Sequence, residues 1–388
     1  MRKFTADFIY TLESEPLNNA VVITDNEGKI LTIEKLDNNN IGSEIERFNG
    51  VIVPGFINSH CHLELSHLHQ QIPEGEGLVA FIKNVIRLRN FDEETQIKAA
   101  EVADKLMFEN GIVAVGDISN TNLTAKTKSN SNIKYHTFVE TFGIDGNNAA
   151  KLFNNALKLK AQFATPVSIA PHAPYSVSKQ LFNLINNYCQ THTNLITLHN
   201  QESQQENLLY QNKTGDFINF YKFLGIDIDS FKAQNKTSFE AILPLLSSHQ
   251  KKLFVHNTFT HVNDIALAKQ IDKEIFWCFC PNANLYIENK LPPITQFLDA
   301  NFNITLGTDS LASNHNLCIL AEMQTLLNYL PKLTFAQILP WATINGAKFF
   351  EFDNVLGSIK VGKTPGLNLI TNFNNGNLTP SSKIIKLI

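Results

Sequence analysis

Along most of the chain a short run of apolar and β-branched residues, ending in polar side chains, alternates with a stretch of helical periodicity. The runs occupy residues 51–60 (VIVPGFINSH), 111–119, 133–143, 166–174, 195–202 (LITLHNQE), 252–260, 275–284 and 303–310 (NITLGTDS). Between them, stretches such as 92–109, 148–162 and 179–189 repeat their apolar positions at helical spacing. Strands alternating with helices predict a parallel α/β sheet, and eight such units predict a closed (β/α)8 TIM barrel. The two ends read differently. Residues 8–10, 20–23 and 30–33 are short β-like runs around turn residues 25–28, and 367–370 and 383–388 are similar. We therefore expect a small composite β domain, residues 1–50 with 355–388, beside a barrel of 51–354.

Composition narrows the class without altering the architecture. Hydrophobic residues at 43% and charged residues at 18% suit a soluble globular protein. The net charge of −4, without a basic cluster, argues against nucleic acid or an anionic membrane as a partner. Residues 1–7 lack the apolar core of a signal peptide, and no apolar run approaches the ~18 residues that span a bilayer. Five scattered cysteines (Cys61, Cys189, Cys278, Cys280 and Cys318) suit reduced thiols, so a cytoplasmic protein is expected.

Candidate chemistry sits where the strands end. His60 and His62 are two apart in an extended segment, so both imidazoles point the same way, as a metal site needs. Such a pair alone is weak. His172, His199, His256 and Asp309 also fall at strand ends, which in a barrel surround one mouth. Packing alone does not call for this set, because each buried imidazole needs a partner. His67, His69, His136, His192, His249, His261 and His315 read as solvent-facing or locally bonded. Residues 357–364 satisfy the P-loop expression, but Pro365-Gly366 and a β-like run follow where a helix must open, so a turn is expected. Cys278 and Cys280 read as small hydrophobes in an aromatic strand.

These residues, with Pro54-Gly55-Phe56-Ile57-Asn58-Ser59 before them and Ser310-Leu311-Ala312-Ser313-Asn314 after Asp309, resemble the amidohydrolase superfamily. Within it the chain looks like the deaminases of aminopurine-type substrates. Residues 62–66 and 199–203 look most like the aminodeoxyfutalosine deaminases of menaquinone synthesis, alongside adenosine- and S-adenosylhomocysteine-type enzymes. The resemblance implies one divalent metal ion, Zn²⁺ or else Fe²⁺, on His60, His62, His199 and Asp309. Binuclear relatives carry a bridging lysine at the end of the fourth strand, and residues 167–172 contain none. It further implies that Asp309 takes a proton from the attacking water, His256 orients that water, and Glu202 protonates a ring nitrogen. His172 and Glu64 are implied as substrate contacts. The partner is then a small-molecule amine that loses ammonia, and the assembly a homodimer. Pro365-Gly366 departs from the Ala-Asp common in the family's late strand. Two rivals stand beside this reading: an amidase or triazine hydrolase of the same superfamily, and a non-catalytic scaffold barrel.

Overall fold

The computed structural model describes residues 1–36, 44–271 and 274–388. Eight parallel strands carry its centre: β1 (Phe56–Cys61), β2 (Ile112–Ser119), β3 (Lys134–Thr141), β4 (Val167–Pro171), β5 (Ile196–Asn200), β6 (Lys252–His256), β7 (Ile275–Phe279) and β8 (Asn303–Leu306). They form two four-stranded sheets, ordered β4-β3-β2-β1 and β5-β6-β7-β8, with every neighbour parallel. Strands β5, β6 and β7 are buried at every position, as strands covered on both faces must be. Backbone hydrogen bonds pass between the sheets on both sides. His199 N–H donates to the His172 carbonyl at 2.9 Å, and Thr308 and Asp309 N–H donate to the His60 carbonyl at 3.1 and 3.0 Å.

Helices separate the strands as their periodicity predicts, and polar caps start them. Asp92 accepts from Thr95 N–H at the head of helix Glu93–Glu109, and Ser178 accepts from Leu181 N–H at the head of Lys179–Cys189. No helix among the described residues is long and apolar enough to cross a membrane.

The terminal segments make two further sheets. One is ordered Ile30–Lys35, Ala20–Thr24, Arg2–Thr5, Ile45–Arg47; the other Lys383–Lys386, Leu367–Thr371, Val51–Pro54, Phe8–Ile9. Both chain ends contribute to one apolar cluster that includes Phe4, Val22, Ile52, Ile359 and Leu369.

Two sequence expectations change here. The single strand read over 51–60 is two strands in different sheets, and the chain crosses between them at Gly55. A Cβ there would stand 2.3 Å from Val113 Cγ1 and 2.7 Å from the Pro365 carbonyl oxygen, so only glycine fits the crossing. His136, read as solvent-facing or locally bonded, lies inside β3. It is buried against Phe138 and Phe350, with Nε2 2.9 Å from Ser168 Oγ. As expected, residues 357–364 open no helix; Lys363 Nζ lies 2.7 Å from Ser358 Oγ, and strand Leu367–Thr371 follows.

Candidate active site

The C-terminal ends of β1, β5, β6 and β8 bring His60, His62, His199, His256 and Asp309 together. His62 Nε2 lies 3.2 Å from His60 Nε2 and 3.1 Å from His199 Nε2, and Asp309 Oδ1 is 3.5 Å from both His60 and His62 Nε2. The Nδ1 of His199 faces the His172 carbonyl at 2.9 Å, so that nitrogen carries the proton and Nε2 turns its lone pair inward. Lone pairs converging at such spacing repel one another unless a cation lies among them. Ligand atoms about 2.0–2.1 Å from a tetrahedral zinc would stand about 3.3–3.4 Å apart, and the spacings here bracket that value. The donor set fits a divalent metal ion.

Local structure holds these donors rigidly. Asn58 in β1 accepts from Thr308 N–H at 3.0 Å and donates to Thr308 Oγ1 at 2.7 Å, which locks the approach to Asp309. Ser313 donates to Asp309 Oδ2, leaving Oδ1 to the imidazoles. A Cβ on Gly307 would stand 2.8 Å from His60 Cβ and 3.0 Å from the sulfurs of Cys278 and Cys280, so glycine lets β8 close on β1. The two cysteines are buried packing groups, as expected.

Burial pushes every imidazole of the cluster down: His60 and His62 fall below the usual value, His199 to about 4, and His256 well below. Neutral imidazole is the metal-binding form. Asp309 also suffers from burial, but its contact with His60 and the neighbouring imidazoles outweighs it, and its carboxyl stays well below the ordinary range. Glu202 behaves oppositely. Burial first, then the charges of Asp309, Glu288 and Glu206, lift it well above the carboxylate range. Its Oε1 lies 3.6 Å from His256 Nε2. Glu202 precedes Ser203, whose side chain caps helix Gln204–Asn212, so it is no ordinary helix-start acid.

A cavity of about 330 Å³ opens over this cluster and is lined by His62, His172, His199, Glu202, His256 and Asp309, with Leu78, Phe81, Val85, Phe142 and Phe220 forming its apolar side. His172 follows β4. Ser176 Oγ donates to the Ala173 carbonyl, so His172 Nδ1, 2.6 Å from that oxygen, is its donor and the Nε2 lone pair is free. Glu64, expected as a substrate contact, has its carboxylate engaged by the loop after β2. It is absent from the cavity wall, and its carboxylate accepts from the backbone of Asn120 at 3.0 Å and Thr121 at 3.2 Å. Sequence reasoning passed over Asn58, Ser313 and Glu140. Asn58 and Ser313 sat inside quoted motifs, whereas Glu140 had no signal beyond a polar strand end.

A sequence profile of the amidohydrolase family matches residues 51–387. An adenosine deaminase of Helicobacter pylori is 27% identical over 328 residues, covering 83% of this chain and 79% of that protein. Among solved structures, the H. pylori aminofutalosine deaminase in complex with methylthio-coformycin superposes with a TM-score of 0.79 at 23% identity, covering 98% of this chain and 94% of that one. The atrazine chlorohydrolase of Arthrobacter aurescens, complexed with zinc, superposes at 0.75 with 16% identity, covering 95% and 86%.

Proposed function

The chain belongs to the amidohydrolase family, and we propose that within it the protein is a metal-dependent hydrolytic deaminase. It replaces the exocyclic amine of an adenosine-like nucleoside with oxygen and releases ammonia. One observation carries this reading: Glu202, which burial pushes well above the carboxylate range, and Asp309, which the imidazoles hold well below it, face the same cavity. Two carboxyl groups pushed in opposite directions are suited to divide acid and base work between them. The deaminase names of its relatives point the same way.

His60, His62, His199 and Asp309 would hold the ion, and zinc is favoured by the donor spacings and by the zinc of a neighbour with this fold. Such an ion lowers the pKa of water from about 15.7 to near 7. Asp309 accepts a proton from the attacking water, and His256 orients that water through Nε2. Glu202 gives its proton to the ring nitrogen beside the amine-bearing carbon, which makes that carbon open to attack. The proton on Asp309 then passes to the amine as the C–N bond breaks, and the proton of the added hydroxyl returns to Glu202, so that ammonia leaves and the ring keeps a carbonyl oxygen. His172 Nε2 accepts a hydrogen bond from the substrate. The two parallel sheets are read as one closed (β/α)8 barrel, supported by the hydrogen bonds across both seams. The terminal sheets are read as a small domain of residues 1–54 and 355–388, extended past the expected residue 50 because Val51–Pro54 pairs with Leu367–Thr371, and supported by their shared apolar cluster.

The test is a panel of adenosine, aminofutalosine and atrazine supplied to zinc-loaded protein, with ammonia and chloride measured separately. Ammonia from a nucleoside is expected. Chloride from atrazine with no ammonia from any nucleoside would transfer the protein to the triazine hydrolases.

A further inference from the structure

We infer that Glu140 is a positioning residue for His199, fastened in place by a chain of hydrogen bonds that starts at Glu64; this rests on the metal-binding part of the reading above. Glu140 is the last residue but one of β3, and its side chain is buried. One carboxylate oxygen stands 3.5 Å from His199 Nδ1. The other accepts from Asn120 Nδ2 at 3.0 Å. Asn120 belongs to the loop after β2, and Glu64 holds that loop. The N–H groups of Asn120 and Thr121 donate to its two carboxylate oxygens, and Thr121 Oγ1 adds a third bond at 3.1 Å. Glu64 itself lies two residues after His62. The chain therefore runs from the turn after β1, across the loop after β2 and the end of β3, to the outer face of His199 on β5.

Physical chemistry gives this arrangement a purpose. A metal-binding imidazole must keep its proton on the nitrogen away from the ion, and a carboxylate beside that nitrogen favours this tautomer and increases the basicity of the other nitrogen. The His172 carbonyl fixes where the Nδ1 proton points, and Glu140 adds the negative charge that a carbonyl lacks. A buried carboxylate is costly unless it is bonded and offset. Asn120 bonds one oxygen; a cation on the far side of the imidazole would offset the charge on the other. This accounts for Glu64 without a substrate contact: it sets the loop that aims Asn120 at Glu140.

The experiment is competition for Zn²⁺ between metal-free protein and a chromogenic chelator, with the thermal midpoint of the metal-free protein measured alongside. Glu140→Gln keeps the shape and the bond from Asn120 but removes the charge. It should weaken Zn²⁺ binding by about 10–100-fold while leaving the metal-free midpoint unchanged. Glu64→Ala should weaken it in the same direction, and the double variant should be no worse than the weaker single, because both act through one chain. If Glu64→Ala does not fold, Asn120→Ala cuts the same chain one link later. Equal Zn²⁺ affinity in wild type and Glu140→Gln overturns the role of Glu140. Losses that multiply in the double variant overturn the chain from Glu64. A folded wild type that binds no Zn²⁺ would instead defeat the metal reading itself.

Discussion

Gln201, His256, Asn257 and Asp309 hold φ angles of 44°, 73°, 59° and 57°, in the left-handed region that L side chains seldom adopt. Each such residue costs about 1–3 kcal/mol unless its surroundings compensate. Here the compensation is visible: Asn257 Nδ2 bonds the carbonyls of Phe254 and Cys278, and Asp309 is tied to Ser313. The strain aims His256 and Asp309 off the ends of their strands into the cavity. Glu202 depends on burial instead. Replacing it with glutamine keeps its size but removes the carboxyl that the proposed mechanism uses as acid. Glu202→Gln should retain full metal content while turnover falls by about 10²–10⁴-fold, checked by metal analysis and ammonia release on the same sample. Loss of the metal, or normal turnover, would show that Glu202 does something else. At this scale the candidate ligands were legible because histidine at a strand end is chemically conspicuous. Glu140 was not, because its partners Asn120 and His199 lie 20 and 59 residues away along the chain.

Elements set the precision of the site, and the contact of β8 with β1 is where it is tightest. Gly307 hands its N–H to the Phe279 carbonyl, and the next two N–H groups reach the His60 carbonyl. A methyl group at 307 would press on His60 and on two sulfurs at once. Gly307→Ala should cost about 1–3 kcal/mol of stability, the usual range for overpacking, and should displace His60 from its partners. Urea unfolding of the metal-free variant and its Zn²⁺ content report the two effects; an unchanged unfolding midpoint would mean that the strand ends yield freely. The alternation of strands and helices was read correctly from local pattern. The break at Gly55 was not, because Val51–Pro54 and the start of Phe56–Cys61 run on as one apolar stretch, and what separates them is the strands they meet.

For the molecule as a whole, buried ionisable groups predict a bounded pH range of stability. Burial lowers His136 from 6.5 to about 3, so the unfolded chain takes up this proton first, and stability is lost as pH falls from 6.5 toward 3. Burial raises Glu64 and Glu206 from 4.5 to about 7 and Glu322 to about 8. There the folded state keeps the proton longer, so stability is lost as pH rises from 4.5 toward 8. The metal-free protein should therefore have its highest urea midpoint between pH 4.5 and 6.5, with a lower midpoint at pH 8. A midpoint still rising at pH 8 would contradict this balance. What the sequence by itself determined was periodicity, the order of strands and helices, and the kinds of side chain placed at strand ends, because these depend on residues near one another along the chain. What only the tertiary structure decided was which donors face one another, which carboxyl is pushed up and which down, and which acid lines the cavity or fastens a loop. Those outcomes depend on burial and on distances of 3–4 Å between groups far apart in sequence, and only the packing of the strands against one another sets them.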